Sequence, residues 1–259
     1  MKTTLERIEE IKTNGYPLDF ANVFEHAFQN YKKIALYAGL MLLVFSILFV
    51  ILAAIGVFLT VDMDSIGKNM KPEMFEPQNF SISFLIKYIL GIIVFTALLS
   101  PFTAGFLKMA DCAEKGEEFN VSTIFTYYKA PYFKDIVLAT LLITIITSGS
   151  SILLDYYGYK FVGLLITVPV SFVTFMTIPL IVFGKLNAFD AIKSSSILVL
   201  KQPLVLVALL IVGIIASMVG FIGCCIGVIF TIPFMYSMHY CIYNAIIGIE
   251  PENESVIEA

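Results

Sequence analysis

Charge is what this sequence has least of: Asp, Glu, Lys and Arg make up 14% of its 259 residues, against 59% hydrophobic residues. Soluble domains carry about 25% charged residues, so the imbalance excludes an ordinary soluble protein. Arginine is nearly missing, Arg7 standing alone, and the net charge is -4. Neither a basic face nor an arginine cluster is available, so nucleic acid is not an expected partner. The four cysteines, Cys112, Cys224, Cys225 and Cys241, have no CxxC spacing and no His pair nearby. They read as small apolar residues rather than as a zinc or redox motif, and no cofactor or metal is expected.

What the chain has is long apolar runs. A hydrocarbon core roughly 30 Å thick takes about 20 apolar residues per helix. Runs at about 34–60, 83–107, 136–154, 161–183, 203–222 and 223–248 meet that length. The expected fold is all-α: a polytopic membrane helix bundle of six transmembrane helices in a single domain, with an external loop at about 61–82. The last two runs form one uncharged stretch that divides best near Gly220 and Gly223. The charged and polar opening before Ile34 is unlike a secretory signal at the start of a chain.

Lysine sets the expected orientation, because Lys and Arg gather in short cytoplasmic loops. Twelve of the 16 basic residues fall on one side: Lys2, Arg7, Lys12, Lys32 and Lys33, then Lys108, Lys115, Lys129 and Lys134, then Lys185, Lys193 and Lys201. The other side collects only Lys68, Lys71, Lys87 and Lys160. Both termini are therefore expected in the cytoplasm, the last residues, 249–259, forming an acidic tail with Glu250, Glu252, Glu254 and Glu258.

The three lysine-bearing segments repeat one another. Asp19 is a good N-cap followed by Phe20, Val23, Phe24, Ala27, Phe28 and Tyr31; Asn120 is followed by Val121, Ile124, Phe125 and Tyr128; Asn187 is followed by Ala188, Ala191 and Ile192. Fourteen positions after each cap stands a lysine, Lys33, Lys134 or Lys201, and an apolar span follows it. The second span of each pair carries the prolines Pro101, then Pro169 and Pro179, then Pro233. Proline kinks a helix, which membranes tolerate where neighbours satisfy the freed backbone groups. The six spans thus form three pairs, each preceded by a cytoplasmic amphipathic helix, in units of about 17–110, 119–184 and 187–248. Such helices either lie at the membrane surface with lysine among the headgroups or cover the ends of the bundle. Lys33, Lys134 and Lys201 are the candidate headgroup residues. Small residues at Ala35 and Gly39, Ala216 and Gly220, and Gly223 and Gly227 permit close helix approach.

An ionisable residue inside a span points to function by default, and His239 is the clear candidate, with Tyr236, Tyr240 and Asn244 beside it. The group reads first as a neutral imidazole in an interfacial aromatic belt. No acidic or basic residue lies near mid-membrane to form a relay with it. Ser148, Ser150 and Ser151 sit near the opposite end of their span from His239 and lack the Gly-x-Ser-Gly pattern of rhomboid proteases. Glu117 and Glu118 lack the partners of a prenyl-endopeptidase site, and Asp62, Asp64, Gly67 and Glu73 fail as a calcium loop because Ile66 replaces an oxygen ligand. No catalytic residue is expected.

Two stretches carry a resemblance. One is Pro101 to Met109 with Lys115-Gly116-Glu117-Glu118-Phe119 and the helix from Val121 to Phe125; the other is Pro179 to Phe183 with Ala188 to Ser195. The pattern resembles uncharacterised bacterial multi-pass families: the YciC-like proteins and the membrane domain of some glycerophosphodiester phosphodiesterases. The resemblance implies a six-helix protein of the bacterial inner membrane without an assigned reaction. Phosphodiesterase chemistry is not carried over, since it belongs to a soluble barrel that this chain lacks. Similar chains are sometimes labelled carotene-cleaving monooxygenases, whose iron needs four histidines; this chain has His26 and His239 only. The leading expectation is a non-enzymatic membrane protein binding lipids, a membrane partner protein or a second copy of itself. The alternative is a transporter or lipid-translocating protein, motivated by the repeats and the broken spans.

Overall fold

The computed structural model describes residues 2–60, 78, 80–129, 131–223 and 226–249, and all regular structure among them is helical. Most of the 61–82 loop, the tail beyond Ile249 and the pair Cys224 and Cys225 lie outside the described residues. Helix α1 (Thr4–Asn14) is followed by α2 (Phe20–Thr60), α3 (Ile82–Lys115) and the single-turn α4 (Val121–Ile124). Helix α5 (Tyr132–Thr144) passes through a π turn (Ile145–Gly149) into α6 (Ser150–Tyr156). Helices α7 (Lys160–Thr174) and α8 (Thr177–Val182) come next, then α9 (Ala188–Lys201), α10 (Pro203–Met218), α11 (Ile226–Thr231) and α12 (Pro233–Ile246).

Five segments are long and apolar enough to cross a bilayer: Phe20–Leu52, Ile82–Lys115, Tyr132–Tyr156, Lys160–Val182 and Pro203–Ile222. Only 17% to 33% of each apolar window is buried within the molecule. Most of that apolar surface points outward, where a hydrocarbon phase is needed to cover it. The chain is a multi-pass membrane protein. The stretch expected as a sixth span is broken: α11 and α12 meet at Thr231 and Ile232, and neither is long enough alone.

The three caps form as the side chains dictate. Asp19 accepts the Asn22 N–H at 2.8 Å, Asn120 the Ser122 N–H at 2.9 Å and Asn187 the Asp190 N–H at 3.0 Å. The helices they start differ. Nothing interrupts the chain after Asp19, so the segment expected as a separate amphipathic helix and the span that follows it are one 41-residue helix, α2. After Asn120 the helix lasts one turn and a 3-10 turn (Thr126–Tyr128) before Pro131, and α9 ends at Lys201 ahead of Pro203. Proline pushes the residue before it out of the helical region, so the placement of Pro131 and Pro203 separates helix from span in the second and third units only.

Each buried proline has a neighbouring hydroxyl that bonds a nearby backbone carbonyl. Pro101 cannot donate to the Ala97 carbonyl, which receives the Ser100 hydroxyl at 2.7 Å. At the break between α7 and α8, ahead of Pro179, Ser195 donates to the Val173 carbonyl at 2.7 Å and accepts the Met176 N–H at 3.2 Å. Where α11 meets Pro233, Tyr31 donates to the Phe230 carbonyl at 3.1 Å. Pro169 lies on an exposed part of α7.

Close approach uses the glycines. A Cβ on Gly105 would collide with the Ile124 backbone, so only glycine lets α4 cross α3 there. Gly220 and Gly227 meet backbone to backbone, which closes the hairpin between α10 and α11, and Gly39 faces the Phe230 ring. Burial is uneven: along α3 it is sparse up to Ala97 and nearly continuous from Ser100 to Ala113.

Candidate functional site: the lysine-bearing end of the bundle

The lysine-bearing segments, far apart in sequence, are joined to one another at one end of the molecule. His26 Nε2 lies 2.8 Å from Glu114 Oε1, tying the start of α2 to the end of α3. Asp135 accepts the Ala188 N–H at 3.1 Å, joining the second unit to the third. Tyr16 donates to the Leu198 carbonyl at 3.0 Å, and Gln202 donates to the Tyr16 carbonyl at 2.8 Å. Burial pushes the Tyr16 phenol above its ordinary ionisation range, so it stays a donor. Helix α1, started by a capping box between Thr3 and Glu6, buries Ile8 and Ile11 and packs on α9. Arg7 donates to the Ile247 carbonyl at 2.6 Å, bringing the N-terminal helix to the end of α12.

Beneath this layer lies a polar network among α2, α3 and α12. Asn30, fully buried, donates to the Ala110 carbonyl at 2.8 Å and to Glu114 at 3.3 Å, and accepts the Ser237 hydroxyl at 2.9 Å. Asp111 is 2% exposed and receives Lys108 Nζ and Lys115 Nζ, each at 3.0 Å, with the Tyr240 hydroxyl at 3.4 Å. A buried carboxylate needs such pairing to remain charged. The groups satisfy one another, and their bonds tie three helices together.

The expected group around His239 does not converge. Tyr236 stacks on Phe106 at 4.9 Å, Tyr240 turns to Asp111 and Phe183, and Asn244 accepts the Ile249 N–H at 3.0 Å. Residues 236, 240 and 244 share a stripe at four-residue spacing, whereas residue 239 is about 100° round the helix. His239 instead lies against the Phe175 ring at 5.3 Å.

The three lysines expected to be equivalent also differ. Lys33 donates to the Ala113 carbonyl at 3.1 Å near the end of α3. Lys134 and Lys201 are exposed and make no hydrogen bond or ion pair among the described residues. The aromatic stripes do not share that division, since the first and second alike have both packed and exposed rings. In α2, Phe24 and Tyr31 pack edge-on against Phe234 at 5.8 and 5.5 Å, so part of this stripe covers α12. Phe28 of the same stripe is exposed, as is Phe189 of α9, while Phe125 packs edge-on against Phe45 at 5.6 Å and Tyr128 donates to the Leu98 carbonyl at 3.0 Å.

Residues that the sequence reading passed over, namely Asn30, Asp111, Glu114 and Ser237, form the best-defined polar cluster. Each is a single polar side chain in a helix, and its partner is up to 207 positions away. No known protein family, characterised protein or solved structure matches this chain.

Proposed function

We propose that the chain is a non-enzymatic protein of a bacterial inner membrane, crossing it six times in three pairs with both termini in the cytoplasm, and that its cytoplasmic rim binds membrane lipids. The broken stretch of α11 and α12 serves as the sixth crossing. The observation that carries the reading is the rim itself, where exposed apolar side chains and exposed lysines share the same short segments. Phe28 is exposed with Lys32 Nζ 5.3 Å from its ring centre; Phe125 and Tyr128 precede Lys129 and Lys134; Phe189 and Leu200 share α9 with Lys193 and Lys201. Apolar faces at an acyl boundary with lysine among headgroups are how interfacial segments bind. The resemblance to bacterial six-helix families supports the same location.

Transport is the second reading, resting on the proline breaks. Backbone carbonyls near those prolines are bonded by Ser100, Ser195 and Tyr31, and the α2, α3 and α12 ends are laced by Asn30 and Asp111. Such lacing favours a fixed scaffold over units that rock against each other. Gentle extraction from native membranes followed by lipid mass spectrometry tests the binding reading. A defined lipid set should be recovered with the protein; recovery of a membrane protein partner in its place, or of neither, overturns it. Flux of labelled lipid or solute in reconstituted liposomes would replace it with transport.

A further inference from the structure

We infer that anionic phospholipids are held by the second and third units, at Lys134 and Lys201, and not by the first unit, whose lysine the fold has taken over. The inference rests on the lipid-binding reading and specifies its site and headgroup class. Lys33 occupies the position equivalent to the other two, but its ammonium is bonded to the Ala113 carbonyl, beside Glu114. Part of its unit faces the protein: Phe24 and Tyr31 pack on Phe234, and Tyr31 donates to the Phe230 carbonyl.

The other two lysines make no hydrogen bond or ion pair among the described residues. Asp135, next to Lys134 in sequence, is directed to the Ala188 N–H, and Asp190 of α9 accepts Asn187 Nδ2 at 2.7 Å. The acids nearest these lysines in sequence are thus engaged by protein donors. Lys201 stands between Leu200, 64% exposed, and Leu204, 84% exposed. A positive charge beside two leucines that need an apolar cover calls for one molecule carrying both a negative headgroup and an acyl chain. Phe125 and Tyr128, each 37% exposed, supply the matching apolar surface ahead of Lys134. An anionic phospholipid meets both demands, whereas a free phosphate would leave the leucines uncovered.

The test uses the purified full chain in detergent, titrated with phosphatidylglycerol and separately with phosphatidylcholine, the bound lipids being counted by native mass spectrometry. A lysine at a membrane surface contributes to anionic-lipid binding by about 5-fold, so Lys134→Gln combined with Lys201→Gln should weaken phosphatidylglycerol binding at each of the two sites by about 5-fold. Phosphatidylcholine binding should not change. Lys33→Gln should leave phosphatidylglycerol binding intact and lower the thermal midpoint. An undiminished phosphatidylglycerol affinity in the double variant, or an equal loss in Lys33→Gln, overturns the inference. Equal binding of both lipids by the wild type overturns the charge selectivity and leaves lipid binding standing; binding of neither overturns both.

Discussion

Replacing Asn30 with leucine is a severe local perturbation of the laced end, because one fully buried side chain serves three partners. The substitution removes the bonds to the Ala110 carbonyl, Glu114 and the Ser237 hydroxyl, each contributing about 1 kcal/mol net. It also strands the Ser237 hydroxyl, which costs about 1–3 kcal/mol when buried, while the added apolar burial returns about 1–2 kcal/mol. The expected loss is about 2–5 kcal/mol. Ser237→Ala alone strands the Asn30 carbonyl oxygen at about 1–2 kcal/mol. Since the two residues share one bond, the double variant should fall short of the summed losses by about 1 kcal/mol. Reversible unfolding in mixed detergent micelles, followed by helical circular dichroism, gives all four free energies. An Asn30→Leu protein as stable as the wild type, or losses that add within about 0.3 kcal/mol, would refute the view that this network holds α2, α3 and α12 together.

Other changes test other joints. Gly105→Ala gains about 1 kcal/mol of helix propensity, but its methyl meets the Ile124 backbone. Overpacking of about 1–3 kcal/mol should win, and a raised melting midpoint would show that α4 moves aside freely. Ser195→Ala removes the hydroxyl that bridges Val173 and Met176 at the break before Pro179; a cost of about 1–3 kcal/mol is expected, read as faster amide exchange around residues 173–177, and unchanged exchange there would count against the bridge. Ile8→Ala truncates a side chain 2% exposed. It should cost about 2–5 kcal/mol of local stability, seen as faster exchange confined to α1, and exchange accelerated equally in α12 would mean that α1 is not a separable element.

The parts of this fold legible in the sequence were those with local causes. Asp19, Asn120 and Asn187 cap helices because a side-chain oxygen reaches an amide two or three residues on. The apolar runs announce themselves by length, and Gly39, Gly220 and Gly227 mark close approaches because nothing larger fits. Helix α1 was less visible: it is short and polar, although Thr3 and Glu6 carry the capping-box spacing from which it starts. The polar network was not legible at all, since Asn30, Asp111 and Ser237 acquire meaning only when helices distant in sequence are packed together. The lysines taught the converse lesson. Equal spacing from a cap made Lys33, Lys134 and Lys201 look alike, yet the uninterrupted α2 carries Lys33 onto the end of α3.

Sidedness is the most direct test of the central claim, that the three lysine-bearing segments lie together on the cytoplasmic side. Single cysteines, Thr13→Cys, Lys129→Cys, Lys193→Cys and Tyr159→Cys, would be placed in a chain whose four native cysteines are replaced. Intact cells would then be treated with a membrane-impermeant thiol reagent. The account predicts labelling of Tyr159→Cys from outside, and labelling of the other three only after the membrane is opened. Labelling of Thr13→Cys in intact cells, or of Tyr159→Cys on the same side as Lys129→Cys, would contradict it.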